Sequence, residues 1–153
     1  MRRKDKEISD PEMIQWIIRR STVCRLAMVE GSKPYVVPLC FGFEDNCLYF
    51  HCSEKGKKID ILKANNNVCF EFDIDQEVIP SDKACSFGMK YFSVIGFGKA
   101  SFIEDNKEKQ KALDIIMHQY SEKSWNYSDD FITHILVIKV EIDSIAGKQS
   151  GVD

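Results

Sequence analysis

Hydrophobic residues follow two periods along the chain. Met13, Ile14, Ile17 and Ile18 recur three and four apart, the spacing of one helix face. Asp10 is placed to cap that helix, Pro11 suits its first position, and Arg19 and Arg20 complement the negative end of its dipole. Strands are predicted at residues 22–30, 35–43 and 47–52, with a turn at Gly31–Pro34 and a hairpin turn at Glu44-Asp45-Asn46. A short helix from Lys57 carries Ile59 and Leu62 and stops at Asn65-Asn66-Asn67. Residues 68–73 predict a fourth strand and 74–88 a long loop. Residues 89–104 predict a fifth strand, with Gly96 and Gly98 marking a bulge or a sharp bend. Asp105 or Asn106 caps a longer helix with the stripe Leu113, Ile116, Met117 and Tyr120, and residues 131–142 predict the last strand. Six strands, mostly joined by hairpins, with helices at the margins, predict an antiparallel barrel of the α+β class, mainly β. Residues 1–153 are expected to form one domain, with 1–9 as a flexible arm.

Two segments break the alternation. Val36-Val37-Pro38-Leu39-Cys40-Phe41 and Ile135-Leu136-Val137-Ile138 are apolar on both faces. A solitary barrel exposing one side of each strand should alternate, so a second layer must cover them. Helices or another subunit could supply it, and a homodimer is the economical expectation.

Composition narrows the function classes. With 153 residues, 44% hydrophobic and 29% charged, the chain reads as a globular domain. A formal net charge of −3 argues against nucleic acid as a partner, and Arg2-Arg3-Lys4 is too short to reverse that. No apolar run approaches the ~20 residues of a membrane span, and no secretory apolar core opens the chain, so a cytoplasmic location is expected. The six cysteines form no C-x-x-C pair and no zinc pattern, so buried reduced thiols are expected and no metal.

The most informative stretch runs from Leu48 to Lys63. An aromatic strand ends in His51, Cys52 and Ser53, turns through Gly56, and opens a helix on Lys57 and Lys58. Unpaired N–H groups at a helix start attract anions, and lysines there oppose the dipole unless an anion is present. A phosphate seat is the sharper reading, and a solvated helix end the bland one. The stretch is no Walker loop, since position 51 is His where the first glycine should stand. Gly96-Phe97-Gly98 is no dinucleotide fingerprint, since Ser101 replaces the third glycine and the segment is strand-like. His51 alone reads as a satisfied barrel-wall histidine. His118 and His134 read as structural, Trp16 as packed under the first helix, and Trp125 and Tyr127 as loop aromatics of the kind that cover ligands.

Lys33–Leu39, Leu48–Ser53, Gly56–Asp60, Tyr91–Ala100 and Ile142–Lys148, in this order and spacing, resemble the FMN-binding split barrels related to pyridoxamine 5′-phosphate oxidase. Within that group the chain is most similar to the 5-nitroimidazole-resistance (Nim) proteins. The resemblance implies a six-stranded split barrel, homodimeric, with FMN at the subunit interface. It implies that Val37, Pro38 and Leu39 run along the isoalloxazine edge through backbone groups. It also implies that Phe50, His51 and Ser53 line the ring and ribityl chain, and that Gly56, Lys57 and Lys58 hold the phosphate. Ser93 and Val94 would approach from the opposite subunit, and Arg25 would supply positive charge near the pyrimidine end. Where the oxidase relatives have Ser-Arg-Lys, Lys57 keeps the charge and gives up the bidentate fork. The basic set with which those relatives hold their own substrate's phosphate is not found here, so the shared fold does not imply pyridoxamine phosphate oxidation.

The mechanism so implied is hydride transfer from reduced FMN to a small aromatic compound such as a nitroimidazole, with His51 supplying a proton. No NAD(P)H fingerprint is present, which leaves the electron donor open between a reductase partner and transient nicotinamide docking. The alternative is a flavin- or tetrapyrrole-binding protein of the same fold without turnover. A purely structural dimeric barrel ranks last.

Overall fold

The computed structural model describes residues 3–152. Strand β1 (Glu7–Ile8) precedes helix α1 (Pro11–Arg20), and β2 (Cys24–Glu30), β3 (Lys33–Leu39), β4 (Gly42–Glu44) and β5 (Cys47–Ser53) follow. Helix α2 (Lys57–Ala64) leads to the long strands β6 (Asn67–Ile79) and β7 (Gly88–Ile103). Helices α3 (Asn106–His118) and α4 (Asp129–His134) precede β8 (Ile135–Ser150). Among the described residues there are eight strands rather than the six expected. Every pairing is antiparallel, in the order β3-β2-β6-β7-β8-β5-β4, with β1 paired to the end of β8 that lies beyond β5. The sheet curls without closing, because the edge strands β3 and β4 do not pair with each other.

Local chemistry accounts for most element ends. Asp10 accepts from the Glu12 N–H at 3.1 Å and starts α1, with Pro11 in its first turn. Asp45 and Asn46 both take positive φ (48° and 58°), the two-residue geometry that matches hairpin twist, and join β4 to β5. Asp105 caps α3 through the N–H groups of Lys107 and Glu108.

Four expectations need correction. Strand pairing extends β6 to Ile79 and starts β7 at Gly88, so residues 74–88 are largely sheet, with a loop only over 80–87. The last strand starts at Ile135 and not at 131. Ser128 accepts from the Phe131 N–H at 3.2 Å, and Asp129 and Asp130 sit in the first turn, so residues 129–134 form a helix. The N-terminal arm is pinned as far as it is described: Glu7 and Ile8 pair with Lys148 and Gly147, and Ile8 is buried. Residues 1 and 2 lie outside the described part. Trp16 is partly exposed, edge-on to Phe92 with the Arg20 guanidinium over its ring, and so is not packed beneath α1.

Two cores result. Inside the curled sheet, Phe41, Phe50, Phe70, Phe72, Leu26 and Leu48 pack under the apolar faces of α1 and α2. A smaller cluster of Ala112, Leu113, Ile132, Ile135 and Val137 fastens α3 and α4 to the outer face of β8. Those helices are the second layer over residues 135–138. Among the described residues, no element covers the outer face of β3, where Val36 is 59% exposed.

Candidate functional site

Alternation along β5 sets the site. Leu48, Phe50 and Cys52 face the core, so Tyr49, His51 and Ser53 face outward. Tyr49 lies under α3 and α4, but the helices stop short of His51 and Ser53. The gap is an open cleft of about 780 Å³, a volume usual for small-molecule sites. The end of β5 and the start of α2 form one wall, through His51, Ser53 and Lys58. Helix α4 forms the other, through Asp130, Phe131 and His134.

The start of α2 has features that suit an anion. Its N-cap is Gly56, at φ 143° and ψ 161°, a backbone conformation that side chains disfavour, and no side chain caps the first turn. Lys58 lines the cleft. Lys57 turns aside to Glu30 at 3.0 Å and lies over the Tyr35 ring, 5.2 Å from its centre. Burial, with a smaller contribution from the positive charge of Lys58, holds the His51 pKa below its ordinary value. His51 is therefore mainly uncharged at neutral pH. Uncapped N–H groups, Lys58, the Ser53 hydroxyl and a neutral imidazole on one wall fit a phosphate joined to an uncharged ring system.

The other residues expected at the site fall into two groups. Arg25, Pro38 and Ser93 stand outside the cleft on the outward face of β2, β3, β6 and β7, where Arg25 pairs with Asp73 and with Glu71. Val37 and Leu39 on the same strand are partly buried against the main core. Phe50 and Val94 are fully buried. Their side chains belong to the main core and do not line the cleft. The sequence reading missed Asp130, Phe131 and His134. Their signal was positional: His134 immediately precedes Ile135, which pairs with Ser53.

The arrangement has relatives. The family model described as pyridoxamine 5′-phosphate oxidase matches residues 10–149. A candidate 5-nitroimidazole antibiotic resistance protein from Bacteroides thetaiotaomicron shares 38% identity over 94% of this chain and 86% of its own, with a TM-score of 0.85. The flavocytochrome Anf3 from Azotobacter vinelandii superposes with a TM-score of 0.87 at 19% identity, over 99% of this chain and 72% of its own. A protein that binds FAD and haem from Mycobacterium smegmatis gives 0.87 at 17% identity, over 96% and 74%. The latter two likenesses show the fold alone. No curated protein matches the chain.

Proposed function

Because the chain belongs to the pyridoxamine 5′-phosphate oxidase family, we propose that it is an FMN-dependent oxidoreductase acting on small aromatic compounds, nitroaromatics among them. One observation carries the proposal: Lys58, Ser53 and His51 line one cleft beside the uncapped start of α2. FMN, once bound, supplies two-electron transfer as hydride. The protein's share is binding, orientation and proton supply. Lys58 and the first N–H groups of α2 hold the phosphate, with Lys57 joining as it leaves Glu30. His51 holds the proton that the substrate takes up. Its lowered pKa fixes the sign of the pH dependence, since the protonated fraction grows as pH falls. The proton-dependent rate therefore rises on acidification through that depressed pKa. Replacing His51→Ala should leave FMN bound while slowing single-turnover oxidation by 2-methyl-5-nitroimidazole about a hundredfold, the lower end of what a positioned acid contributes. Stopped-flow absorbance of the dithionite-reduced protein measures this, and an unchanged rate would remove His51 from the mechanism.

A homodimer is part of the proposal. Val36, Ala27, Cys69 and Phe97 are consecutive cross-strand partners, so their side chains form one outward row across β3, β2, β6 and β7. Val36 and Phe97 are each more than half exposed, and Ile95 in the adjoining row is 47% exposed. Such an apolar sheet face is stable in water when a second copy covers it. Arg25, Pro38 and Ser93 share the face, so a partner seated there meets the residues assigned to the flavin's far end. Sedimentation should show a dimer, and Phe97→Lys a folded monomer with weakened flavin binding; a wild-type monomer rejects this arrangement. All six cysteines are free, which fits a reducing, cytoplasmic setting. Among the described residues, no helix is long and apolar enough to cross a membrane.

The second reading is a flavin- or tetrapyrrole-binding protein without turnover. It is favoured by the same uncharged imidazole at His51, which would suit a metal ion of such a ligand as well as a proton carrier. The single-turnover experiment separates the two, because a pure binder leaves the flavin reduced after the nitroimidazole is added.

A further inference from the structure

The α4 wall of the cleft has no part in holding the cofactor as assigned above, yet it carries chemistry. Phe131 and His134 are three residues apart, on one face of the helix, and both line the cleft. The Phe131 ring is 45% exposed and stacks on Tyr127, with centroids 6.2 Å apart and planes 16° from parallel. Tyr127 in turn packs against the cluster of Ala112, Leu113 and Ile132. An aromatic ring is thus braced from behind and presented to the cavity. The His134 Nδ1–H donates to the Asp130 carbonyl oxygen at 2.9 Å, with the Asp130 carboxylate 3.4 Å from the same nitrogen. That bond occupies Nδ1 and leaves Nε2 to meet a ligand.

The wall is also held in place. Ser128 caps the helix, Thr133 donates to the Asp129 carbonyl at 2.8 Å, and the buried Lys109 reaches the Ile132 carbonyl at 3.3 Å. Placing a lysine in that position costs desolvation, which makes sense if the α4 wall must keep its geometry. Preorganised groups of this kind favour binding because less motion is lost when the ligand arrives.

We propose that Phe131 and His134 form the substrate wall of the cleft. A flat aromatic ring lies against Phe131, and a ring N–H of the substrate donates a hydrogen bond to Nε2 of His134. Asp130 is a positioning residue for that imidazole. The inference rests on the flavin reading, with FMN on the α2 side, and names the substrate side of the same site.

The test uses the FMN-loaded protein and 2-methyl-5-nitroimidazole as the probe. Binding is followed by the perturbation of the flavin spectrum in the oxidised state, and FMN and FAD affinities are measured by fluorescence quenching. Phe131→Leu and His134→Leu should each weaken nitroimidazole binding about tenfold while leaving both flavin affinities unchanged. Phe131→Tyr, which keeps the ring, should bind the probe as the wild type does and guards against a folding artefact. Unchanged probe affinity in both disruptive variants makes the wall merely structural and overturns the proposal. A loss of FAD but not FMN affinity overturns it differently, by making Phe131 an adenine platform. If the wild-type protein takes up no flavin, the proposed function itself falls and the substrate wall with it.

Discussion

Removing the two lysines of the α2 start, Lys57→Ala with Lys58→Ala, should lower FMN affinity on the order of a thousandfold. A hydrogen bond to a charged group contributes ~1.5–3 kcal/mol, and two such losses together predict ~10²–10⁴ in the dissociation constant. The two residues are not equal. Lys58 lines the cleft, whereas Lys57 is paired with Glu30 at 3.0 Å and must leave that partner to reach a phosphate. The single change at Lys58 should therefore cost more than the single change at Lys57. Riboflavin supplies the control, because it has the ring and ribityl chain without the phosphate. Its weaker binding should differ little between wild type and the double variant. Fluorescence quenching titrations with both ligands measure the difference of differences. If FMN binding survives the double change, the phosphate does not sit at α2 and the cofactor's orientation must be argued afresh.

The α2 wall of the cleft was legible in the sequence because its parts are contiguous. A strand end, a glycine with a backbone conformation unsuited to side chains and a lysine-led helix all fall between Leu48 and Lys63. Alternation along β5 could have shown more: if His51 and Ser53 face the cleft, Phe50 between them faces the core. The opposite wall was hidden for a different reason. Residues 131–135, Phe-Ile-Thr-His-Ile, are β-branched and aromatic, so propensity favours a strand, and the Ser128 cap with two acidic residues in the first turn overrides it. Reading that segment as strand moved His134 away from the site. The full length of β8 was equally hard to read, since Ser144 and Lys148 look like loop residues. Their strand state comes from pairing with β7, 40 to 60 residues away in sequence, and local propensity carries no record of it. The exposed apolar row from Val36 to Phe97 had half its signal in view: the unbroken run at 36–41 demanded a cover, but its neighbours across the sheet emerge only from the register.

The second large effect concerns the frame that carries both walls. Replacing Gly98→Ala should destabilise the fold by about 3 kcal/mol, the upper part of the range for forcing extra atoms into a packed region. At this position the β7–β8 register jumps, from Phe97 opposite Ser144 to Gly98 opposite Ile142. The strands are therefore drawn together where the bulge absorbs the extra residue. A Cβ on Gly98 would lie 2.3 Å from the Glu141 carbonyl oxygen and 2.9 Å from Val140 Cγ1. The first neighbour is backbone and cannot rotate away, so either the ladder parts or the bulge moves. Moving it shifts the register of β7 on β8, and a one-residue slip would turn the buried Val137 away from α3 and α4. Val137 and Ile135 anchor α3 and α4, so the same change should loosen the cleft's far wall and weaken nitroimidazole binding. Gly88→Ala is the matched control, since its new methyl would meet only Ile79 side-chain atoms at 3.6 Å, an ordinary contact. Urea denaturation should separate the two variants by most of the 3 kcal/mol. Equal midpoints would show that the sheet accommodates a side chain at the bulge and that its register is fixed elsewhere along β7 and β8.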